Sequence, residues 1–428
     1  MFRSNAGFGE RATKLAAFFS TLAAVSTAAA APAGWELLGG DRADGDPIDL
    51  TSDPISVCHD AQGREIIAHA TRKSAAVWDH QIVVERWDDA SQTWQVLGQP
   101  LGGGEDGAFG PSLAFSSGRL YLSFDQRNGE TGVRGEIFVK LYDELDDLWV
   151  DAGEKVLNID PMKGARHSDL VAVDAFGIDV AVAWEELHTG ANERAWVKAL
   201  RGGVWTTLGG GPLNVGSALE IESIDLVFDG SRLVATWEEM SNDHEDVYVK
   251  AVGPDNRWVA LGGDVAGAMD GNSPSIAFDG EEIHVAYGSL DMMRGAPRLI
   301  TVKRWTGSRW EQVGSDLNET RDESDSWGSG PYITSRGSRL WVAWNEKIYG
   351  QSDKSIFVKS FNGCAWAIDP GSSTTRTLDP FPDLDASQVQ LASRGDGLSC
   401  AFVEKQGIYV KRRISGRLSD CGEGFAAD

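Results

Sequence analysis

Residues 258–289 read WVALGGDVAGAMDGNSPSIAFDGEEIHVAYGS, and residues 299–310 continue with LITVKRWTGSRW. Together they hold four short runs rich in Val, Ile, Phe, Tyr and Trp, each bounded by Gly, Asn, Asp or Ser. Runs of this length and composition are typical of β-strands separated by tight turns. The segment therefore predicts a unit of four antiparallel strands.

The same pattern returns along the chain, with a landmark tryptophan at the start of each fourth strand. Neighbouring landmarks are 52 to 59 residues apart. They are Trp35, Trp94, Trp149, Trp205, Trp258, Trp310 and Trp366. A period just above fifty residues indicates a repeat array, and four-stranded sheets bury their faces when they stack radially. We expect an all-β fold, a seven-bladed β-propeller, over residues 31–428.

The two ends of the array are incomplete in complementary ways. Residues 35–40 form a fourth strand without the first three, and residues 388–413 supply three strands without a fourth. We expect the N-terminal strand to complete the last blade and to close the ring without a covalent link. No linker divides the array, so one domain is predicted.

The first thirty residues have a different character. Basic residues precede an apolar run at 15–25, and small residues fill 26–31. This order is typical of a secretory signal peptide, and we expect cleavage after Ala30. The apolar run is too short to span a bilayer. The sequence predicts a secreted or periplasmic protein with no membrane span, and we expect a monomer.

The chain is strongly acidic, with 64 Asp and Glu against 39 Lys and Arg and a formal net charge of −25. Such a charge repels nucleic-acid phosphates, so no nucleic-acid partner is expected. The charge fits simple solubility, and it also fits capture of cations or basic partners.

Four cysteines in an exported chain predict two disulfides. Cys364 precedes a landmark tryptophan and Cys421 follows the equivalent strand of the next repeat, while Cys58 and Cys400 lie in the first and last repeats. We expect Cys364 to pair with Cys421 and Cys58 with Cys400, both across the seam of the ring. The alternative is that one or both pairs are reduced, buried residues.

A G-x-x-W turn precedes several fourth strands, as at Gly202 with Trp205 and Gly307 with Trp310, between a V-K strand and an LGG segment. With these motifs the chain resembles secreted bacterial repeat propellers related to the sialidase-like fold, over essentially its whole mature length. The resemblance implies a propeller and no defined activity. Sialidases carry S-x-D-x-G-x-x-W in this turn, and this sequence keeps only the Gly and the Trp.

A sialidase also needs three arginines, a Tyr and Glu pair and an acidic Asp. The first strands begin without arginine, at Ser112, Asp169, Asp225, Ser275, Tyr332 and Gln388. No catalytic residue is therefore assigned.

Carboxylates recur where second strands end and where two first strands begin. These residues are Glu186, Glu239, Glu346, Glu404, Asp169 and Asp225. They lie near the rim that carries the long connections after strands two and four, which we call the variable rim. Loops on a rigid scaffold are common binding sites, so these carboxylates could bind Ca²⁺ or a cationic ligand. Alternatively, each serves its own blade by accepting loop amides or pairing with the V-K lysine.

A second oxygen-rich segment holds Asp41, Asp44 and Asp46. Its spacing is similar to that of a calcium loop, but the terminal Glu of an EF-hand is missing. A weak metal site and a solvated loop both fit.

Because no catalytic constellation is present, the sequence favours an exported, non-catalytic propeller that binds a protein, glycan or cation through the variable rim. The alternative is a glycan-acting hydrolase or lyase of sialidase-like architecture that uses paired carboxylates, such as Glu239 and Asp225. A purely structural surface protein is the third class. A pocket of carboxyls with raised pKa would favour the enzyme, and exposed aromatics at the rim would favour lectin-like binding.

Overall fold

Seven antiparallel sheets follow one another along the chain. The computed structural model describes residues 34–39, 55–72, 79–103, 107–127, 135–175, 177–187, 192–216, 220–241, 244–290, 298–319, 327–347, 353–369, 386–395, 397–404 and 407–414. These residues form 29 strands and no helix. The signal peptide at 1–30, the loop aspartates Asp41, Asp44 and Asp46, and Cys421 lie outside the described residues and stay predictions.

The chain enters through β1 (Gly34–Leu37), which belongs to the last blade. Blade 1 comprises β2 (Ser56–His59), β3 (Glu65–Arg72), β4 (His80–Asp88), β5 (Thr93–Val96) and the short β6 (Leu101–Gly102). Blade 2 comprises β7 (Ala108–Ser116), β8 (Arg119–Gln126), β9 (Glu136–Asp143) and β10 (Leu148–Asp151). Blade 3 comprises β11 (Ala165–Ala175), β12 (Ile178–Leu187), β13 (Glu193–Arg201) and β14 (Val204–Thr207).

Blade 4 comprises β15 (Glu220–Phe228), β16 (Leu233–Ser241), β17 (His244–Val252) and β18 (Trp258–Ala260). Blade 5 comprises β19 (Asp270–Phe278), β20 (Ile283–Leu290), β21 (Leu299–Trp305) and β22 (Trp310–Gln312). Blade 6 comprises β23 (Trp327–Arg336), β24 (Arg339–Lys347), β25 (Lys354–Phe361) and β26 (Trp366–Ile368). Blade 7 comprises β27 (Ala386–Arg394), β28 (Gly397–Glu404) and β29 (Gly407–Ile414), completed by β1.

The first strands of all seven blades contact one another around the ring, so they line a central channel. Strand β1 pairs antiparallel with β29, with Trp35 opposite Arg413. The predicted seven-bladed propeller and its closure by the N-terminal strand are both confirmed.

The landmark tryptophans join neighbouring blades. Trp310 Nε1 donates a hydrogen bond to the Leu261 carbonyl at 2.7 Å, and Trp205 Nε1 donates to Ala152 at 2.6 Å. Gly262 has a φ of +85°, and a Cβ there would lie 3.2 Å from the Trp310 ring. Six of the landmark indoles thus donate to the segment that follows the fourth strand of the preceding blade, which explains why the tryptophan and the LGG segment or its relatives recur together.

The apolar core is divided into seven clusters between adjacent blades. Trp35 and Trp341 meet between blades 6 and 7, and Leu38 packs with Trp87 between blades 7 and 1. Burying a large apolar side chain contributes about 1.5–3 kcal/mol. Strand β1 and the residue that follows it, Leu38, therefore supply core side chains to both junctions beside blade 7.

The predicted Cys58–Cys400 disulfide is wrong, because both residues are free thiols. Cys58 packs against the core between blades 1 and 2, whereas Cys400 is buried in the core between blades 6 and 7. The two side chains thus leave their blades in opposite directions. The pairing of Cys364 with Cys421 stays a prediction.

Polar contacts hold the seam where the disulfide was expected. Glu65 of blade 1 is 1% exposed and accepts hydrogen bonds from Arg412 Nε at 2.6 Å and Nη2 at 2.5 Å. Its Oε1 also accepts from Ser399 Oγ at 2.8 Å, and Ser399 contacts His59 Nε2 at 3.0 Å. A buried carboxylate with a bidentate guanidinium partner gives the seam geometric specificity.

Candidate functional site

The repeated glutamates accept hydrogen bonds from backbone amides of the connection that leads into their own blade. Glu186 is 3% exposed and accepts hydrogen bonds from the Ile159 and Asp160 amides at 2.8 and 2.7 Å. Glu239 is fully buried and accepts from Val215 and Gly216 at 2.9 and 2.6 Å.

Three of the repeated glutamates also accept a hydrogen bond from the indole of the tryptophan two residues earlier. Trp184 Nε1 donates to Glu186, Trp237 Nε1 to Glu239, and Trp344 Nε1 to Glu346. Glu346 accepts the Glu319 amide as well, at 3.2 Å. Glu404 occupies the same position in blade 7 and is 1% exposed. The described contacts give Glu186, Glu239 and Glu346 a structural role, because each carboxylate fixes the connection that leads into its blade. A ligand-binding role for the four residues stays a prediction.

The V-K lysines and a Leu-Asn dipeptide, which the sequence analysis did not single out, also fix the connections between blades. Lys198 Nζ donates to the Leu157 carbonyl at 2.8 Å, and the next residue, Asn158, accepts the Ile137 amide at 2.8 Å. Leu317 and Asn318 repeat the arrangement, with Lys359 Nζ 2.6 Å from the Leu317 carbonyl. The sequence signal was the Leu-Asn pair, which recurs before three of the first strands.

Asp169 and Asp225 belong to a second repeated contact, which runs around the channel. At this position a side-chain oxygen accepts a backbone amide of the next blade. The five bonds are Ser56 from Leu113 (2.9 Å), Ser112 from Leu170 (3.2 Å), Asp169 from Leu226 (3.0 Å), Asp225 from Ile276 (2.8 Å) and Ser275 from Ile333 (3.2 Å). In blade 7 the matching residue is Gln390, opposite Ala401, and not Gln388.

The two aspartates form a hydrogen-bonded pair in this ring. The Leu226 amide is shared between Asp169 Oδ2 and Asp225 Oδ1 at 3.0 and 2.8 Å. Burial raises the pKa of both carboxyls, and for Asp169 the neighbouring Asp225 raises it further. Because two carboxylate oxygens in contact need a proton between them, the pair holds a shared proton.

A cavity of about 360 Å³ lies over this pair at the channel mouth. The first strands carry a register shift there, and Ser223, Ser273 and Gln388 have φ of 51°, 47° and 53°. A non-glycine residue in this region costs about 1–3 kcal/mol, and β-bulges redirect side chains beside binding sites. Three strained residues thus line one polar cavity, which we call the channel-mouth cavity.

Two further carboxyls with raised pKa values, Glu185 and Glu238, lie on blades 3 and 4. Burial raises the pKa of Glu185 to about 8 and that of Glu238 to about 7. Glu185 accepts a hydrogen bond from Arg166 Nε at 2.9 Å, and Glu238 accepts the Ser273 amide at 2.9 Å. Glu238 therefore also fixes a strained residue of the channel mouth.

A different constellation lies on the variable rim between blades 5 and 6. Trp327 is 40% exposed, and the Arg298 guanidinium lies 5.1 Å from its ring centroid. Arg298 Nε and Asn272 Oδ1 are buried and have no hydrogen-bond partner among the described residues. A Cβ on Gly288 would lie 2.5 Å from Asn272 Oδ1. We call Asn272, Gly288, Arg298 and Trp327 the Trp327 site.

The signals for the Trp327 site were departures from the repeat. Trp327 is not a landmark tryptophan, because it begins a first strand. Gly288 stands where four of the other blades have an acid or amide, namely Asp125, Glu185, Glu238 and Asn345. The predictions from sequence relied on residues that recur in the repeat, and Gly288 and Trp327 do not recur.

Across the described ranges, no three His, Cys, Asp or Glu side chains are arranged to hold a metal ion. Among the six carboxylates predicted as a Ca²⁺ site, Asp169 and Asp225 meet at the channel, whereas Glu186, Glu239 and Glu346 lie on separate blades with their own amide partners. None of the described residues belongs to an apolar helix of membrane-spanning length.

The sequence matches no protein-family model, and no curated protein sequence is similar to it. Solved structures of similar fold include the polysaccharide lyase Uly1, at 9% identity and a TM-score of 0.50, with 86% of this chain and 91% of that chain covered. The SapL1 lectin in complex with alpha methyl fucoside has 14% identity, a TM-score of 0.43 and coverages of 77% and 98%.

The sialidase of Trypanosoma rangeli has 10% identity and a TM-score of 0.46, with 84% of this chain covered and 54% of the sialidase. This chain thus spans about half of that protein. Identities this low show the propeller fold alone. The resemblance to one exported repeat family stays a prediction.

Proposed function

We propose that this protein is an exported, non-catalytic propeller that binds a carbohydrate at the variable rim, across the Trp327 site and the channel-mouth cavity. The observation that carries the proposal is the exposed face of Trp327 beside two buried polar atoms, Asn272 Oδ1 and Arg298 Nε, that lack partners among the described residues. A sugar ring has an apolar C–H face for an indole and hydroxyls that both donate and accept. Because unpaired buried polar atoms cost about 1–3 kcal/mol, a hydroxyl that reaches them gains affinity.

The chemistry of the channel-mouth cavity also supports a polyhydroxylated ligand. Its lining includes the hydroxyls of Ser223 and Ser273 and the amides of Asn345 and Gln388. Hydroxyls and side-chain amides both donate and accept hydrogen bonds, as sugar hydroxyls do, and a few placed polar groups orient a ligand in a pocket.

The enzymatic alternative finds less support in the carboxyl geometry. Glycosidases hold their two carboxyls about 5 to 10 Å apart, with a water or a sugar carbon between them. Asp169 and Asp225 are in direct hydrogen-bond contact. Glu239, the partner suggested for Asp225 from the sequence, is fully buried and occupied by two amides.

A glycan array probed with residues 31–428 tests the proposal. We expect binding to a defined set of glycans, and we expect Trp327→Ala to weaken it about tenfold or more, because lost stacking of this kind is worth about 1 kcal/mol before area loss is added. Val259→Ala, an exposed apolar residue on an outer strand (47% exposed), should leave binding unchanged. An array without hits, or equal binding by the Trp327 variant, would contradict the proposal. Cleavage of a bound glycan would favour the enzyme instead.

A further inference from the structure

A cavity of about 790 Å³ opens between blades 3 and 4 on the rim of the short turns, opposite the variable rim. Its walls are mainly apolar. They include Val173, Ile178 and Ala181 from blade 3 and Phe228, Leu233 and Val252 from blade 4. The volume lies in the range of about 300–1,000 Å³ that is typical of small-molecule sites.

The cavity exists because two alanines pair in blade 3. Ala181 lies opposite Ala199 in neighbouring strands, one residue before the register of Val182 with the V-K lysine. At the equivalent place in blade 2, Tyr121 lies opposite Leu141. Interiors are normally packed without voids of this size, so the missing side-chain volume leaves room for an apolar guest.

Two arginines lie at this cavity. Arg201 is exposed, and its side chain has no partner in the part of the chain that the structure describes. Arg232 donates to Asp229 through Nε at 2.9 Å, and no contact among the described residues occupies its terminal nitrogens. A guanidinium presents a planar set of donors that matches a carboxylate. In a chain of net charge −25, one arginine without a partner among the described residues and a second that uses only Nε, on Asp229, are a specific feature beside an apolar cavity.

We propose that this cavity binds an amphipathic anion, with an apolar chain or ring between the blades and an acidic head group at Arg201 and Arg232. The site uses no residue of the Trp327 site. It is therefore independent of the proposed carbohydrate binding.

Calorimetric titration of residues 31–428 with decanoate and with decan-1-ol tests the two parts of the site. We expect decanoate to bind, and we expect Arg201→Gln with Arg232→Gln to weaken its binding tenfold or more while decanol binding stays the same. Arg257→Gln is the matched control, because this arginine lies in the turn that also supplies Gly253, Pro254 and Asn256 to the wall, but it is 80% exposed and does not itself line the cavity. Its decanoate affinity should equal that of the parent protein.

Filling the cavity tests the apolar part. Ala181→Leu should abolish binding of both ligands with an unchanged or raised unfolding midpoint, and Ala199→Leu provides the same test if the first variant does not fold. Failure of the parent protein to bind decanoate, equal binding by the filled variants, or an arginine double variant that binds like the parent would each overturn the proposal.

Discussion

At the scale of single residues, the Asp169–Asp225 pair shows how a structural contact can make the stability of the protein depend on pH. Both carboxyls accept backbone amides that join blades 3, 4 and 5. Burial raises the pKa of both, and that of Asp169 stands well above its ordinary value. Above about pH 4 the unfolded chain has released a proton that the folded pair retains. Stability contributed by this pair is therefore lost as the pH rises through the folded pKa.

We predict that Asp169→Asn stabilises the protein at pH 8 and gives a much smaller gain at pH 4.5. The asparagine amide donates permanently to Asp225, so no proton has to be retained, and its oxygen still accepts the Leu226 amide. One pKa unit corresponds to about 1.4 kcal/mol, so an increase of about 2 °C or more in the unfolding midpoint is expected at the higher pH. Thermal unfolding followed by calorimetry between pH 4.5 and 8 measures the difference.

Glu185 and Glu238, whose pKa values are also raised, contribute a slope of the same sign, so the difference between variant and parent is the quantity of interest. Asp255→Asn, at a carboxyl that is 65% exposed, is the control and should leave the pH profile unchanged. A shift of equal size at both pH values would mean that the pair does not share a proton.

At the scale of elements, the blades could be predicted from the sequence because the residues that build them recur. The landmark tryptophans and LGG segments predicted the number of sheets and the closure of the ring. The contact between them was not visible in the sequence, because Trp310 reaches Leu261 across a blade boundary. Recurrence alone did not separate a ligand site from a structural contact, since Glu186, Glu239 and Glu346 each accept amides from the connection into their own blade.

The candidate sites lie where the repeat is broken. Gly288 replaces an acid or amide, Trp327 is an additional tryptophan, and the Ala181–Ala199 pair replaces larger residues. A missing or added side chain changes the shape of one junction only. Its effect depends on neighbours from another blade, and the sequence alone does not give those neighbours.

Two adjacent glycines of the LGG segment allow the contact between this segment and the indoles to be tested. We predict that Gly262→Ala lowers the free energy of unfolding by about 2 kcal/mol or more, because its φ is +85° and the new Cβ would lie 3.1 Å from Trp305. Gly263→Ala meets nothing within 4 Å and should change it by less than about 0.5 kcal/mol. Urea unfolding of the two variants measures both values. Similar losses at the two positions would show that the indole contact does not explain the motif.

At the scale of the whole molecule, closure depends on a strand of four residues, β1. Besides its pairing with β29, the Leu38 amide donates to the Val410 carbonyl at 2.9 Å. Trp35 and Leu38 are 8% and 2% exposed, and they enter the cores on the two sides of blade 7. Removing β1 would therefore uncover two junctions and leave β29 as an open edge.

We predict that a chain beginning at residue 41 unfolds at a markedly lower urea concentration than one beginning at residue 32, with a broader transition. The loss follows from two buried apolar side chains at about 1.5–3 kcal/mol each and from an unpaired edge strand. A synthetic peptide of residues 32–40, added to the shorter chain, should restore the midpoint by strand addition, whereas the same peptide with Trp35→Ala should restore less. Because the Arg412–Glu65 contacts remain in both chains, an unchanged midpoint in the shorter one would place the closure of the ring in those polar contacts instead of in β1.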